Sequence, residues 1–314
     1  MSFRDIFRRR KALGMAEAEA AASDLADFAV LRRLDRLALR TQPWLRGQSA
    51  GQRPSRRRLP SSDFREHRQY LPGDDLRHVD WNASARSEHV YVKLGERPRE
   101  ATVHVLLDHT ASMDWGQPSK LSAARRLAVA LGYLALNHGD HLSVGSLADP
   151  APRFGPSHGT GRVPGLLRFV RGLRPVRSAD MLKTAHNYAA HQRRGGLVVL
   201  ISDLLAIPDV GALVDLFPPP TWQTLVLHLL HPFELNPPPL GEVEFQDVET
   251  REKANYDLDA AALARYHTFI TGWCTRLEDT CFERGAAYAR VLADWEIEQA
   301  VVPYLRRRGV VQPV

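Results

Sequence analysis

The sequence has few cysteines and no long hydrophobic run. Its two cysteines, Cys274 and Cys281, are too few for a disulfide framework. In a helical pattern they lie about 10.5 Å apart along the axis, too far for a bridge within that helix, so we expect two buried thiols in a reducing compartment. The longest apolar stretches, such as Val103–Leu107 and Leu197–Ile201, are strand-sized, whereas a membrane helix needs roughly 20 residues.

Signals for export and for catalysis are missing as well. The basic N-terminus is followed by Ala/Glu-rich sequence instead of the hydrophobic core of a signal peptide, so we expect a cytoplasmic protein without a transmembrane segment. Ser146 lacks the Gly-x-Ser-x-Gly context of an acyl-transfer nucleophile. The Gly-rich stretch 155–165 lacks the Gly-Lys-Ser/Thr ending of a phosphate-binding loop, and the 13 histidines form no zinc pattern. These absences favour a non-enzymatic protein without a small-molecule substrate.

Positive charge is concentrated at the N-terminal end. Residues 1–60 contain 14 Lys/Arg and 6 Asp/Glu, a net charge of +8, whereas the rest of the chain carries a net charge of −2. A basic segment can hold phosphates or an anionic membrane surface. Binding of nucleic acid or an anionic surface through this head is therefore an alternative function, although the absence of a nucleic-acid-reading motif disfavours nucleic acid. The other interpretation is that this basic segment is a solvated tail.

The sequence patterns divide the chain into three parts. We predict a basic N-terminal helix and linker over residues 1–60, in which apolar residues at helical spacing place a helix from Asp24 to about Arg40. A signature segment over residues 61–100 is expected to pack on the main domain. The main domain is predicted over residues 101–308.

Strand and helix patterns alternate from about residue 100. The predicted strands are Val103–Leu107, His141–Leu147, Leu197–Ile201, Thr224–Leu230 and a segment near Tyr288–Leu292. The predicted helices are Ser119–His138, Val163–Leu173, Met181–Arg193, Val210–Phe217, Leu258–Phe282 and a last one capped by Asp294. This alternation predicts an α/β fold, a doubly wound, mainly parallel sheet with helices on both faces. Such sheets bind ligands at the carboxyl ends of their strands.

Two carboxylates follow predicted strands directly. Asp108 begins an Asp-x-Thr-x-Ser sequence with Thr110 and Ser112, and Asp203 follows a later strand. If the strands are neighbours, these oxygens converge, and carboxylate and hydroxyl oxygens are the ligands that magnesium selects. The pattern resembles the metal-ion-dependent adhesion site of von Willebrand factor A domains, which carries Asp-x-Ser-x-Ser after the first strand and an Asp after the fourth.

The resemblance also implies a Thr ligand from a middle loop. In the corresponding segment Arg177–Met181, Ala179 stands at the Thr position, and Ser178 is the alternative ligand if the loop shifts by one residue. The resemblance implies magnesium bound by Asp108, Thr110 and Ser112, with Asp203 acting directly or through water. Substitution of Asp108 by Ala would abolish that binding.

A longer motif precedes the first strand of the main domain. The segment from Phe64 to Arg86 resembles the signature of the bacterial domain-of-unknown-function 58 family, with Val79 in place of the usual Ile, and the similarity extends over roughly residues 50–308. Its residues are Arg65, Arg68, Tyr70, Pro72, Gly73, Asp74, Asp75, Arg77, Asp80, Trp81 and Arg86. Pro72-Gly73 favours a type II turn, and the surrounding charges form either an internal ion-pair network or a partner-facing surface.

The family resemblance implies a partner. This family is associated with MoxR-type AAA+ ATPases, so we expect a cytoplasmic, non-enzymatic adaptor that contacts such an ATPase, a client protein, or both. A hydrolase or phosphatase that uses Asp108 is a further alternative. Aspartyl phosphatases need a second Asp two residues later as the general acid, and Thr110 stands there instead.

Overall fold

The computed structural model describes residues 28–41, 66–70, 79–87, 89–94, 100–149, 151–177, 180–192, 194–237, 241–246 and 253–313. These residues belong to two compact units. The larger unit combines the described part of residues 1–45 with the chain from Ala101 onward, and the smaller unit lies within residues 46–100. The larger unit is therefore discontinuous in sequence.

The described chain forms strands and helices in alternation over most of the larger unit. The strands are β1 (Leu37–Leu39), β2 (Glu66–Gln69), β3 (Tyr91–Leu94), β4 (Thr102–Leu107), β5 (His141–Ser146), β6 (Arg153–His158), β7 (Gly196–Ser202), β8 (Trp222–Leu230), β9 (Gly241–Gln246), β10 (Lys253–Leu258), β11 (Ala287–Leu292) and β12 (Val311–Pro313). The α-helices are α1 (Phe28–Arg33), α2 (Trp81–Ser84), α3 (Lys120–Asn137), α4 (Val163–Gly172), α5 (Met181–His191), α6 (Val210–Asp215), α7 (Pro232–Leu235), α8 (Ala260–Glu283) and α9 (Val302–Arg307).

The larger unit is built on a six-stranded sheet with the order β11-β8-β7-β4-β5-β6. All neighbouring pairs are parallel except β5 and β6. The chain starts in the middle with β4, builds one side, and returns to build the other side from β7. The predicted α/β class, a doubly wound and mainly parallel sheet, is thus confirmed. Its topological switch point, where such sheets bind ligands, lies between β4 and β7.

Both faces of the sheet are covered by helices. All seven residues of β7 are buried, as expected for a central parallel strand whose side chains alternate between two covered faces. Along β4, Val105 and Leu107 join one hydrophobic cluster, whereas Leu106 joins the other. The continuous apolar runs that the sequence shows at these strands follow from this two-sided burial.

The longest helix on one face of the sheet is α3. The Ser119 hydroxyl caps this helix by accepting a hydrogen bond from the Ser122 amide at 3.2 Å, and the helix stops before Gly139, which has a φ of +76°. A glycine adopts that left-handed conformation without strain, which makes it a common helix stop. Both ends agree with the predicted helix Ser119–His138.

The predicted helix from Asp24 to Arg40 is wrong in its second half. Within the described residues α1 ends at Arg33, and Leu37–Leu39 forms β1, which pairs antiparallel with β12 near the C-terminus. This pairing accompanies burial of Leu39, which is 3% exposed. Long-range strand pairing therefore overrides the local helical periodicity. The linker predicted over residues 48–60 lies outside the described residues.

Two other features of the larger unit differ from the sequence prediction. Asp294 does not cap the last helical segment; a π-helical turn, Ile297–Val301, begins after Glu296 and leads into α9. The edge strand β6 was not predicted, because its Gly155-Pro156 pair is typical of turns. Proline has no amide hydrogen to donate. It is tolerated in β6 because the outer side of an edge strand has no partner strand that would need this donor.

The smaller unit contains a β-ladder and a short helix. Strands β2 and β3 pair antiparallel, and Val79 bridges to Val92. Asp80 caps α2, because one of its carboxylate oxygens accepts hydrogen bonds from the Asn82 and Ala83 amides, each at 3.1 Å. Acidic caps of this kind satisfy amides that the first helical turn leaves without a partner.

Candidate functional site

The parallel pairing of β4 and β7 brings Asp108 and Asp203 to the same edge of the sheet. Leu107 and Ile201 are partners in the ladder, and the Asp108 amide donates a hydrogen bond to the Ile201 carbonyl at 2.9 Å. Both carboxylates are fully buried. This edge is the carboxyl end of the strands at the topological switch point.

The first turn after β4 arranges hydroxyl groups around Asp108. One Asp108 oxygen, Oδ1, accepts hydrogen bonds from the Thr110 amide and the Thr110 hydroxyl, both at 2.8 Å. The other oxygen, Oδ2, accepts from the Ser202 hydroxyl at 2.6 Å, and the Thr110 and Ser112 hydroxyls are 2.9 Å apart. The structure therefore places Asp108, Thr110 and Ser112 together, as the Asp-x-Thr-x-Ser spacing predicted.

Asp108 is held in an environment that disfavours its charge. Burial raises the pKa of Asp108 to about 6, and the nearby negative charge of Asp203 acts in the same direction, while hydrogen bonds from Ser202 and Thr110 oppose the shift. Like charges in a poorly solvated site repel each other strongly. Asp108 is therefore easier to protonate than an exposed aspartate.

A buried lysine, Lys120, neutralises the second carboxylate. Its ammonium donates to Asp203 Oδ2 at 2.7 Å and to Glu234 Oε1 at 2.5 Å. Lys120 is 1% exposed and Glu234 17%. Burial alone lowers the pKa of Lys120, but attraction to Asp203 and Glu234 outweighs it, so the pKa of Lys120 is raised. The three groups form one ion-pair cluster, called the lysine cluster below.

Lys120 was not predicted from the sequence, although a signal was present. Lys120 directly follows the cap Ser119, and helices that cover a parallel sheet after its strands start at the edge where the strands end. The first turn of α3 was therefore a candidate position beside Asp203. Its second partner, Glu234 on α7, lies 114 residues away in sequence and no local pattern connects the two.

Two buried histidines form hydrogen bonds with the backbone and side chains next to the two aspartates. The His109 Nδ1 group donates to the Arg174 carbonyl at 2.6 Å, and His109 Nε2 contacts the Ser146 hydroxyl at 2.6 Å. His228 Nε2 donates to the Asp203 carbonyl at 3.1 Å, and burial lowers the pKa of His228 to about 3. His109 thus connects the end of β4 with the end of β5 and the segment before α5.

The middle loop is only partly described. Val176 bridges to Thr110, and its amide donates to the His109 carbonyl at 3.0 Å, so this loop reaches the first turn of the site. Asp180 caps α5 by accepting a hydrogen bond from the Lys183 amide. Ser178 and Ala179 lie outside the described residues, and the ligand predicted there stays a prediction.

Leu204 adds backbone strain next to Asp203. Its φ is +60°, a left-handed conformation that costs a non-glycine residue on the order of 1–3 kcal/mol. The Ser202 hydroxyl accepts from the Leu204 amide at 2.9 Å, and Asp203 Oδ1 accepts from the Leu205 amide at 3.1 Å. These bonds hold the strained turn, which directs Leu205 outward with 55% exposure.

Three large apolar side chains are exposed on the chain segments that carry this buried polar site. Trp115, Leu205 and Phe233 are 41%, 55% and 56% exposed; they are called the apolar rim below. His231 joins two of them, with ring centroids 5.1 Å from Trp115 and 5.2 Å from Phe233. Gly116 has a φ of +94°, and a Cβ there would lie 2.4 Å from His231 Cδ2, so only glycine permits this packing.

The signature residues belong to the smaller unit and are partly described. Arg65, Pro72, Gly73, Asp74, Asp75 and Arg77 lie outside the described residues, and Arg68 lies in β2. Tyr70 is half-buried, Asp80 caps α2, Trp81 is 64% exposed and Arg86 is exposed. Whether the charged residues form a network or a surface stays a prediction.

The oxygens at the sheet edge are a poor match for a magnesium ion shared by Asp108 and Asp203. Magnesium requires near-octahedral oxygen ligands at about 2.1 Å. Asp203 already holds an ammonium on one oxygen and an amide on the other. Both Asp108 oxygens accept hydrogen bonds from Thr110 or Ser202. A second cation beside Asp203 would be repelled by Lys120 at close range.

The family follows from comparison with known proteins. A family model described as "Protein of unknown function DUF58" matches residues 66–271. The chain belongs to the DUF58 family. The matched range includes β2, the Asp80 cap, the first turn with Asp108, and the lysine cluster, so it extends over parts of both units.

Relatives of this DUF58 chain occur in mycobacteria. The uncharacterized proteins Rv1480 of Mycobacterium tuberculosis (strain H37Rv) and Mb1516 of Mycobacterium bovis are each 27% identical over an alignment of 213 residues, which covers 64% of this chain. The chain covers 65% of the length of these relatives.

Two solved structures are similar to the DUF58 chain over 66% of its length and 98% of their own. They are BatB from Bacteroides thetaiotaomicron, with 16% identity and a TM-score of 0.38, and an aerotolerance-related membrane protein from Bacteroides fragilis, with 20% identity and a TM-score of 0.42. Among the described residues of this chain, no helix is both long and apolar enough to cross a bilayer.

Proposed function

We propose that this DUF58 protein is a non-enzymatic adaptor that binds a protein partner through the apolar rim. The observation that carries this proposal is the combination of exposed Trp115, Leu205 and Phe233 with a buried, internally paired polar site beneath them. Exposed aromatic side chains bordered by polar groups are typical of protein-binding surfaces. The partner expected from the family resemblance is a MoxR-type AAA+ ATPase.

The absence of an enzymatic activity is part of this proposal. Asp108 and Asp203 have no solvent-exposed surface, so neither can reach a substrate unless the first turn opens. Ser146 is 1% exposed and shares its hydroxyl among His109, the Ala148 carbonyl and the Ala148 amide. A nucleophile must approach the reacting atom, and these candidates are enclosed by the fold.

The proposal is tested by measuring binding of the purified full chain to the MoxR-type ATPase of the same organism, with ATP and with ADP. We expect Trp115→Ala and Phe233→Ala each to weaken binding at least tenfold, because a central aromatic residue of an interface typically contributes 2 kcal/mol or more. Phe282→Ala is the matched control, since Phe282 is 82% exposed on α8 and outside the rim. Equal affinity of the rim variants and the wild type would refute the proposal.

A specific observation favours a second candidate, binding of an anionic surface. A groove of about 510 Å³ in the larger unit is lined by Arg40, Arg306 and Arg307 together with Pro303, Gly309, Val311, Gln312 and Pro313. The three arginines come from the end of the basic head and from the last helix, and the lining contains no acidic residue. Guanidinium groups bind phosphate and carboxylate groups through paired hydrogen bonds.

This candidate is tested by retention of the full chain on heparin at increasing salt concentration. We expect Arg306→Glu/Arg307→Glu to elute at clearly lower salt than the wild type, because charge-dependent binding weakens as salt screens it. Arg265→Glu/Arg276→Glu on α8 is the matched control, with the same change in net charge at exposed positions outside the groove. Identical elution of both double variants would leave the groove without this role.

A further inference from the structure

We infer that Lys120 is the resident cation of the candidate site, so that the site is complete without a divalent metal ion. The resemblance to an adhesion site implies a metal that joins the acidic residues after two strands. In this chain the cation beside the second of those residues is supplied from within, by the side chain that follows the cap of α3.

The contacts of the lysine cluster support this assignment. The Lys120 ammonium donates to Asp203 Oδ2 and Glu234 Oε1. The remaining oxygens of these carboxylates are also engaged, since Asp203 Oδ1 accepts from the Leu205 amide and Glu234 Oε2 accepts from the His231 amide at 2.7 Å. Each carboxylate oxygen therefore has a donor from the protein itself.

Burial prevents the cluster from exchanging its cation easily. Lys120 is 1% exposed and Asp203 is fully buried. If the ammonium swung away, two carboxylates would remain without a counterion in a poorly solvated place, which is strongly unfavourable. A magnesium ion would also have to displace amide donors and keep several of its own waters, for which an enclosed ion pair offers little room.

The cluster also fixes a part of the apolar rim. Glu234 lies on α7, whose residues Pro232–Leu235 include the rim residue Phe233. The Tyr266 hydroxyl donates to the Glu234 carbonyl at 2.6 Å, which attaches α7 to α8. Lys120 therefore acts as a positioning residue that connects the start of α3 with the segment that carries Phe233.

The test measures the thermal unfolding of the full chain after EDTA treatment, with and without millimolar magnesium chloride. For the wild type we expect the same melting temperature in both conditions and no binding heat in a calorimetric titration with magnesium alone. For Lys120→Met, which keeps the length of the side chain but not its charge, we expect a lower melting temperature in both conditions, because Asp203 and Glu234 lose their counterion and the retained side chain leaves little room for the metal. Lys183→Met, at an exposed lysine in the first turn of α5, is the control and should melt like the wild type.

Two results would overturn the inference. The first is a magnesium-dependent rise in the wild-type melting temperature that Asp108→Asn abolishes, since the wild type would then bind a metal at the first turn. The second is a Lys120→Met protein as stable as the Lys183→Met control. If Lys120→Met does not fold, Lys120→Arg is compared with the wild type instead. Lys120→Arg keeps the charge and should fold without responding to magnesium. If it requires magnesium to fold, the inference is contradicted. The test does not involve the ATPase, so its outcome is independent of the proposed partner.

Discussion

At the scale of single residues, the two buried aspartates at the switch point differ in how the protein compensates their negative charge. Both are fully buried at the ends of neighbouring strands. Asp203 is neutralised by the ammonium of Lys120, whereas Asp108 has only hydroxyl and amide donors. A buried carboxylate without a counterion binds its proton more tightly, so Asp108 should make folding sensitive to mild changes in pH.

Asp108→Asn tests this difference. Because the pKa of Asp108 is about 6 in the folded chain and about 4 when unfolded, its protonated form favours the folded state. That contribution is fully present below about pH 4 and is lost as the pH rises through about 6, a change on the order of 3 kcal/mol. We expect the stability of the wild type relative to Asp108→Asn to fall by up to that amount over this range in urea unfolding.

The outcome is read from the difference between the two proteins, since every other titrating group is common to both. A difference that stays constant from about pH 4 to 7 would mean that Asp108 ionises at its ordinary pKa. Ser112→Ala is the control, because Ser112 contacts the Thr110 hydroxyl but does not ionise; its stability relative to the wild type should not change with pH.

The residues of the site differ in how far the sequence could predict them. Asp108 and Asp203 were predictable, because each directly follows an apolar strand and parallel strands end at one edge. Lys120 was not predicted, because a lysine near a helix start is ordinarily solvated and its burial depends on Glu234, which is distant in sequence. The positive φ of Leu204 has no local signal, since leucine rarely adopts it.

At the scale of secondary-structure elements, local signals determined the ends of α3 but not the pairing of short strands. Ser119 caps α3, and Gly139 follows the end of that helix, in agreement with the predicted helix Ser119–His138. The segment Leu37–Leu39 is helical by its periodicity and yet forms a strand, because its partner Val311–Pro313 is at the other end of the chain. Short strands gain little from their own propensity, so a distant partner decides their conformation.

The cap of α3 should contribute measurably to stability. Ser119→Ala removes the acceptor for the Ser122 amide, and loss of such a cap typically costs about 1 kcal/mol. We expect that decrease in the free energy of unfolding in urea. Ser122→Ala retains its own amide and so leaves the capping bond intact; it should change stability by less than about 0.5 kcal/mol. Equal effects of the two substitutions would argue against a specific role of the cap.

The pairing of β1 with β12 predicts that the C-terminal strand stabilises the larger unit. Truncation after Gly309 removes Val310 and Val311, which are 8% and 3% exposed, together with the ladder to β1. Burial of two valine side chains is worth about 3 kcal/mol or more, and we expect a loss of that size in urea unfolding. Gln312→Ala, at a half-buried position of the same strand, should be nearly neutral. Unchanged stability of the truncated chain would show that β12 contributes nothing.

At the scale of the whole molecule, the larger unit carries two surfaces of opposite character. The apolar rim is built from residues at the ends of β4, β7 and β8, whereas the arginine groove is built from the end of β1, from α9 and from β12. The two surfaces have no residue in common. Arg40, which belongs to the basic residues 1–60, lines the groove, whereas the rim residues follow strands of the central sheet.

Because no residue is shared, binding to an ATPase and binding to an anionic surface should be separable by mutation. We expect Trp115→Ala to weaken ATPase binding while leaving heparin elution unchanged, and Arg306→Glu/Arg307→Glu to lower the eluting salt concentration while leaving ATPase affinity unchanged. Additive effects in the triple variant would support independence, as is usual for sites without shared partners. If the charge reversal weakens both interactions by the same factor, the ATPase must contact the groove, and the adaptor surface would have to include Arg40 and the end of α9.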